Sequence, residues 1–488
     1  MVFSNLFFIY FFLPLNLLMY FIAKDIRTKN VIMLIFSLFF YAWGSPKYLL
    51  LLILMAAGDF FFAKLIDSTD DIKKKKLGLV GACVLDLGLL GIFKYLGFVL
   101  TNVQNLTGFP ENIPNIVLPI GISFYTFQLL SYVVDVYRGE VEAQKDFSKL
   151  LLYVSLFHQC IAGPIVRYSD VHNEINSRKT NWVSISRGIC RFSVGLGKKV
   201  LLANVCGSLT DMLLISDADV AGQALADSLD VISSRPALAL WVGVLCYMLQ
   251  IYLDFSAYSD MAIGMGLMIG FHYKENFDYP YASKSVAEFW RRWHISLGSF
   301  FRDYVYIPLG GNRKGIKRTI FNTFVVWALT GFWHGASWNF VLWGLYFCMF
   351  IVMERLFLSK VLEKLPSFLS RAYLLIIVFF GWVLFKFRDM PMVISTLKGM
   401  LCLNDNSFTN YEVSTIIKNN IFFLIVAVIS VTPLMKNISQ KLIKKARTDA
   451  SLTVINSLRR IAIPVALLLF STFALVGDSY NPFLYFQF

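Results

Sequence analysis

Long apolar runs, separated by short polar breaks, recur along the whole of this sequence. A run of roughly 20 residues can cross the ~30 Å hydrocarbon layer of a bilayer as a helix, and about twelve runs approach that length. Hydrophobic residues make up 57% of the chain and charged residues only 16%, whereas soluble domains carry about a quarter charged residues. Because a lipid-exposed backbone must satisfy its own hydrogen bonds, the sequence predicts an all-α polytopic membrane protein.

The apolar runs divide the chain into three regions of one membrane domain, 1–488. N-terminal helices are expected in 1–166, the core in 238–352 and C-terminal helices in 372–488. Between the first two regions, Arg178–Lys199 mixes basic and apolar residues at helical spacing, which suits an interfacial helix or one packed at the cytoplasmic mouth. The second run is short enough to be tilted or re-entrant. The runs lie near Phe3–Ala23, Val31–Trp43, Tyr48–Leu65, Leu77–Val99, Ile116–Val136, Leu150–Val166, Leu238–Ile269, Ile320–Phe332, Trp338–Val352, Tyr373–Phe385, Ile421–Leu434 and Ile461–Leu475.

The net charge of +14 is spread over short clusters between apolar runs, which favours a membrane topology signal over a nucleic-acid surface. Two of the early breaks, at Lys24–Lys29 and at Lys73–Lys76, are basic, whereas Asn102–Asn115 has neither Lys nor Arg. The positive-inside rule places the basic breaks in the cytoplasm and Asn102–Asn115 outside. If the second run spans the membrane, the N-terminus is extracytoplasmic. The first run lacks a basic start and a small-residue cleavage site, so it is expected to be a retained helix.

Several common site types have no motif here. The seven cysteines are scattered without metal-ligand spacing, so neither a disulfide framework nor a metal site is expected. The signatures of serine hydrolases, zincins and P-loop ATPases are also missing from the sequence. We therefore expect no metal and no permanently bound cofactor.

The region 238–352 departs from the plain apolar pattern, because charged and histidine residues recur in it. A charge at bilayer depth costs about 2.5–3.5 kcal/mol or more, so such residues persist where they line a cavity or serve a function. The pattern indicates a polar pocket. Asp254 and Asp260 in this region could form a proton relay or a buried hydrogen-bonded network, and the sequence does not choose between these roles.

The segment SKSVAEFWRRWHISLGSFFRDYVYIPLGG (283–311) alternates aromatic and basic residues. One interpretation is an interfacial helix anchored by Trp290 and Trp293, with Arg291 and Arg292 snorkelling to the headgroups. The other is a positively lined cleft for the phosphates of a coenzyme A-like donor, since the guanidinium fork binds phosphate bidentately. The candidate donor- or substrate-binding residues are Trp290, Arg291, Arg292, Arg302, Asn339 and Asp254.

His334 lies in TGFWHGASWNF (330–340), between two apolar runs and flanked by glycines that permit close approach of a substrate. Imidazole is the usual base for a hydroxyl nucleophile near neutral pH. A second histidine, His294, lies in the aromatic and basic segment. Donors for an oxyanion could be backbone N–H groups around Gly335 or the amide of Asn339. His158 and His172 are expected to be structural, and His272 is expected in a turn.

Five long motifs together resemble the membrane-bound O-acyltransferase (MBOAT) family, in the branch of the bacterial alginate O-acetyltransferases. The N-terminal LFFIYFFLPLNLLMY and the terminal YFQF are also similar to that branch. The motifs are GISFYTFQLLSYVVDVYRG (121–139), QCIAGPI (159–165), LDFSAYSDMAIGMGLMIGF (253–271), FWRRWHISLGSFFRDYVYIPLGGNR (289–313) and LTGFWHGASWNFVLWGLYF (329–347).

The resemblance implies that His334 matches the family's catalytic histidine and that His294 matches its second, cytoplasm-facing histidine. It also implies a ring of about 11–12 transmembrane helices, with re-entrant or interfacial helices, around a central funnel. Donor would reach the histidine from the cytoplasm and acceptor from the outside.

The expected function is transfer of an acetyl group from a cytosolic thioester, acetyl-CoA, to a hydroxyl group. That hydroxyl would belong to an exported polysaccharide or to an extracytoplasmic relay protein of the SGNH type. D-Alanyl transfer from a carrier-protein thioester to teichoic acid is a related alternative. A glycan transporter or flippase is a different class, since intramembrane charges and broken helices also mark transporters, and a structural subunit of an export complex is a third class.

Overall fold

The structure is a computed structural model that describes residues 1–110, 112–222, 224–446, 448–477 and 483. These residues form helices and connecting segments, with no β-strand among them. This confirms the all-α prediction. The C-terminal YFQF motif lies outside the described residues.

The helices of the N-terminal region run from the first apolar segment to the end of the sixth. They are α1 (Leu13–Ile22), α2 (Ile26–Gly44), α3 (Pro46–Asp67), α4 (Ile72–Leu90), α5 (Leu96–Thr107), α6 (Ile122–Arg138), α7 (Phe147–Ser155) and α8 (Tyr168–Asn176). The middle of the chain holds α9 (Trp182–Gly197), α10 (Asn204–Leu213), α11 (Asp217–Gly222), α12 (Leu225–Ser234), α13 (Ala237–Ile269), α14 (Val286–Arg292), α15 (Ile295–Phe301), α16 (Gly315–His334) and α17 (Trp338–Met353).

The C-terminal region is helical as well. It comprises α18 (Ser359–Leu362), α19 (Ser367–Lys386), α20 (Met390–Met400), α21 (Tyr411–Ser430), α22 (Leu434–Lys445), α23 (Asp449–Ser457) and α24 (Ile463–Gly477). Single π-helical turns join or extend several helices, at Phe8–Phe12, Gly91–Tyr95, Lys198–Ala203, Arg302–Tyr306, Glu354–Leu358 and Leu458–Ala462, and a short 3₁₀ turn occupies Pro280–Ala282.

Eight helical stretches in the described part of the chain are long and apolar enough to cross a membrane. They support a multi-pass membrane protein. The remaining expected segments also contain helix, but these helices are shorter or more polar, as in α6 and α7. The total of 11–12 transmembrane helices stays a prediction. The eight stretches are Ile26–Gly44, Pro46–Asp67, Ile72–Thr107, Ala237–Ile269, Trp338–Leu362, Ser367–Lys386, Tyr411–Ser430 and Asp449–Gly477.

Two boundaries differ from the sequence prediction. The second helix is longer than the apolar run, because Asp25 caps it by accepting a hydrogen bond from the Thr28 amide at 2.8 Å. The segment expected to be a loop from Asn102 to Asn115 is helical as far as Thr107, where Gly108 in the left-handed conformation (φ 73°) ends α5.

The long helix α13 joins the two largest apolar clusters of the protein. Its C-terminal half, from Phe255 onward, packs with the N-terminal helices. Its preceding turns, from Tyr247 to Leu253, pack with α14, α16, α17 and α19. Trp333 belongs to the first cluster and Trp343 to the second, so the end of α16 lies where the two clusters meet.

Helix α9 packs tightly along α13, with glycines at the contact. A Cβ added at Gly188 would lie 2.6 Å from the carbonyl oxygen of Gly264, and one at Gly195 would lie 2.7 Å from that of Ala257. The backbones approach this closely only because glycine occupies the contact. The place of Arg178–Lys199 relative to the membrane stays a prediction.

Candidate active site

His334 is the last residue of α16 and is held at the start of a tight α16–α17 hairpin. The two helices touch through glycine: a Cβ added at Gly331 would lie 2.4 Å from the carbonyl oxygen of Phe340, and one at Gly344 would lie 2.4 Å from that of Trp327. The position of His334 therefore depends on backbone-to-backbone contact. Larger residues at these glycines would push the hairpin apart.

The His334 side chain is buried, with 4% of it exposed. Its ring centroid lies 4.9 Å from that of Trp343 and 5.2 Å from that of Phe385, both in edge-to-face geometry. Aromatic walls of this kind limit the orientations of an imidazole and exclude bulk water. A histidine so placed suits proton transfer in a dry site.

His294 lies between α14 and α15 in the left-handed conformation, with φ 46°. Such a conformation costs a residue with a side chain on the order of 1–3 kcal/mol and persists where the surroundings hold it. Here the holding residue is Asn276, whose side-chain oxygen lies 3.2 Å from Nδ1 of His294. In this conformation the imidazole contacts Trp333, at 5.6 Å between ring centroids.

The hydrogen bonds of Asn276 also fix the tautomer of His294. The Asn276 side-chain oxygen accepts from the Ser296 amide at 3.2 Å and from the Ser296 hydroxyl at 2.8 Å. Because this oxygen is an acceptor, Nδ1 of a neutral His294 donates to it. The lone pair then resides on Nε2, which is the nitrogen able to bind a proton.

One pocket of about 380 Å³ contains both histidines in its lining. Trp290 and Trp327 form an aromatic wall, with ring centroids 4.9 Å apart. Exposed Arg291, Arg302 and Arg355 also line the pocket, so its open end is positively charged and its buried end holds the histidines. The lining follows α16 from Thr323 to His334, a stretch of twelve residues that rises about 16 Å.

The start of α14, in the aromatic and basic segment, is held by the carboxylate of Glu354. Glu354 is buried and accepts hydrogen bonds from the amides of Val286 at 2.6 Å and Ala287 at 2.9 Å. These are the first amides of α14, which have no partner within the helix. The cap orients α14 so that Trp290 and Arg291 line the pocket.

Three residues predicted for binding do not line this pocket. Arg292 pairs with Glu288 at 2.7 Å, one turn earlier on α14. Asn339 donates to the carbonyl of Leu384 at 3.1 Å and accepts from the Ser337 hydroxyl, so its amide is used in packing against α19. Asp254 is buried against Lys199, 2.7 Å away. The roles predicted for these residues in donor binding and oxyanion stabilisation therefore lack geometric support.

Three other polar residues considered in the sequence, Asp260, His158 and His272, have partners outside the pocket. Asp260 accepts from Arg191 at 2.9 Å and from Lys198 at 2.6 Å, which favours the network over the proton relay. His158 is buried 3.4 Å from the Tyr273 hydroxyl, and exposed His272 pairs with Glu174 at 2.7 Å. Neither lines the pocket, and the described residues contain no cluster of three or more His, Cys, Asp or Glu that could hold a metal.

Sequence reasoning missed several residues of the site. Arg355 follows an apolar run and lies 53 residues beyond Arg302, so only the fold shows that both line one pocket. Asn276 lies outside the motifs identified in the sequence, and only the fold shows its contact with His294. Lys94 is the one basic residue between Leu77 and Thr107, and this isolation in an apolar run was a usable signal. Its amine donates to the carbonyl of Trp333, beside His334, at 2.5 Å.

Comparison with known proteins bears on the whole chain. Residues 141–392 match the MBOAT, membrane-bound O-acyltransferase family. The probable alginate O-acetylase AlgI of Pseudomonas putida is 34% identical, with all of both chains covered. The peptidoglycan O-acetyltransferase of Helicobacter pylori is 32% identical over 83% of this chain and 80% of that protein.

A more distant relative is the teichoic acid D-alanyltransferase of Bacillus subtilis, which is 26% identical over 56% of this chain and 68% of that protein. The matched family region contains α14 to α17 and hence both pocket histidines. The full-length similarity and the family match agree with the multi-pass helical architecture and identify the chain as an acyltransferase. This protein belongs to the membrane-bound O-acyltransferase family.

Proposed function

We propose that this enzyme transfers an acetyl group from a cytosolic thioester, acetyl-CoA, to a hydroxyl group of an exported polysaccharide or of an extracytoplasmic relay protein of the SGNH type. The observation that carries the proposal is the single pocket whose open end is lined by Arg291, Arg302 and Arg355 and whose buried end is lined by His294 and His334. A long thioester arm with phosphates at one end would match this polarity.

In the proposed reaction His334 is the general base. Its imidazole takes the proton of the acceptor hydroxyl as the oxygen attacks the thioester carbonyl. The carbonyl oxygen becomes an oxyanion, the carbon–sulfur bond breaks and the ester forms. The thiolate leaves as the thiol after receiving the proton from the imidazolium. His294, with its lone pair on Nε2, would orient the donor or pass on a proton at the same end of the pocket.

Acetyl is favoured as the transferred group because the relatives with the widest coverage are O-acetylating enzymes by name. The D-alanyl alternative draws support from the shorter match to a teichoic acid D-alanyltransferase. Both donors would be thioesters on a phosphate-bearing arm, so the pocket fits either one. The acceptor is proposed to arrive from the other side of the membrane, with the basic segment cytoplasmic and the N-terminus extracytoplasmic.

The test compares two histidine variants in a host that exports the polymer but lacks its own O-acetylation. His334→Ala should lower the rate at which ester groups are added to the polymer by about 10²–10⁴-fold, as expected for loss of a general base. The matched control is His272→Ala, which removes an exposed histidine outside the pocket and should leave ester content unchanged.

The chemical identity of the ester separates the alternatives. Acetate released by mild base supports the proposal, and released D-alanine would replace it with the carrier-protein reaction. Ester content within a few-fold of wild type in His334→Ala would refute catalysis by His334. A polymer that is exported only when this protein is present, and carries no ester in any variant, would place it among transporters.

A further inference from the structure

A lysine side chain reaches the end of α16 from a membrane-spanning stretch. Lys94 lies in the π-helical turn Gly91–Tyr95, within the apolar stretch Ile72–Thr107 that is long enough to cross the bilayer. An ionisable group in such a stretch is costly and is usually retained for a function. The described pocket does not include Lys94 in its lining, so binding within that pocket does not account for it.

The contacts of Lys94 and its neighbour converge on the backbone just before His334. The Lys94 amine donates to the carbonyl of Trp333 at 2.5 Å and to the hydroxyl of Ser123 at 3.2 Å. The Tyr95 hydroxyl donates to the carbonyl of Phe332 at 2.8 Å. Two consecutive residues of one turn therefore hold two consecutive carbonyls of another helix.

These carbonyls belong to the last turn of α16, where backbone oxygens have no amide partner within the helix. A cation is also favourable at this end, because the helix dipole places partial negative charge there. The Ser123 contact adds the first turn of α6, so three elements meet at this point. The end of α16 is thus held by side chains of a neighbouring span in addition to its tight contact with α17.

The π-helical turn explains how both side chains reach α16. A π-turn inserts one residue into a helix and rotates the residues around it, and such turns occur often at functional sites. Here the turn links α4 to α5 without breaking the span. A regular helix through Gly91–Tyr95 would displace Lys94 and Tyr95 from this pair of positions.

We infer that Lys94, together with Tyr95, is a positioning element for His334, holding the carbonyls of Trp333 and Phe332 so that the imidazole keeps its catalytic orientation. The inference rests on the proposed role of His334 as base. Because neither residue lines the pocket, their loss should impair the chemical step and leave donor binding unchanged.

The experiment measures kcat and donor KM of purified full-length variants with acetyl-CoA and the acceptor used for wild type. Lys94→Met keeps the length and apolar stem but removes the charge and both donated bonds; kcat is expected to fall at least 30-fold, with KM within threefold of wild type. Tyr95→Phe removes one bond, and a 3- to 10-fold fall in kcat is expected. Should Lys94→Met fail to fold, Tyr95→Phe decides the question by the same kcat and KM criterion.

Two control variants make the same substitutions, lysine to methionine and tyrosine to phenylalanine, at other positions. Lys64→Met removes an exposed lysine of α3, and Tyr346→Phe removes a tyrosine bond to the Ile377 carbonyl; both should keep wild-type kcat. A wild-type kcat in folded Lys94→Met, or a rise in KM at constant kcat, would overturn the positioning role. If wild type itself transfers no acetyl group, the proposed function fails first, so the two failures are distinguishable.

Discussion

Substituting Gly331 by alanine tests whether the α16–α17 contact sets the position of His334. The added Cβ would lie 2.4 Å from the carbonyl oxygen of Phe340, about 1 Å inside ordinary contact distance, and this oxygen belongs to a backbone that cannot rotate away. The helices must therefore separate by roughly 1 Å. A displacement of that size can cost about 10²-fold in rate, and overpacking costs about 1–3 kcal/mol of stability.

Gly88→Ala is the matched control, because Gly88 lies inside α4 and a Cβ there would meet no atom within 4 Å. Alanine should stabilise that helix by roughly 0.5–1 kcal/mol. Thermal unfolding in detergent and acetyl transfer are measured for both variants. Equal activity and equal melting temperatures in Gly331→Ala and Gly88→Ala would refute the argument that close helix contact positions the histidine.

Three further outcomes are expected. Asn276→Ala should lower stability by about 1–3 kcal/mol, because it leaves buried donors of His294 and Ser296 without their acceptor. The same substitution should lower kcat. A wild-type stability together with a wild-type kcat would contradict the role of Asn276 in orienting His294. Arg291→Gln/Arg302→Gln should weaken acetyl-CoA binding about 2- to 30-fold, as expected for two exposed charges, whereas Arg292→Gln, outside the pocket lining, should not. Calorimetry compares the two variants, and binding should also weaken with salt. Lys314→Cys, in a Cys402→Ser background, should react with an impermeant maleimide only in inverted vesicles, and labelling in intact cells would contradict the proposed orientation.

The positions of the helices could be predicted from the apolar runs. In a bilayer, the length of a run and the need to satisfy backbone hydrogen bonds both favour a helix over other structures. The errors occur where polar residues extend a helix. Asp25 adds a capped first turn to α2, and α5 continues through Asn102. Gly108, a standard C-terminal signal, lay in the sequence and would have given the correct end of α5.

The two histidines could be chosen from sequence because each lies in a local pattern that is unusual for an apolar chain. Their shared pocket could not, since His294 and His334 are 40 residues apart and meet only where the two apolar clusters join. Asn339 was chosen for its nearness to His334 along the chain. Helix α17 begins at Trp338 and directs Asn339 to the carbonyl of Leu384, away from the pocket.

The arrangement of charge around α16 gives a physical reason for the position of His334. The pocket begins beside arginines and ends at the last residue of a helix, where backbone carbonyls need partners. Lys94 and Tyr95 supply them from a neighbouring span, and glycine contacts hold α16 against α17. His334 therefore terminates a helix that is anchored by two neighbouring elements, which allows it to be buried among aromatic rings and yet reachable along a charged pocket.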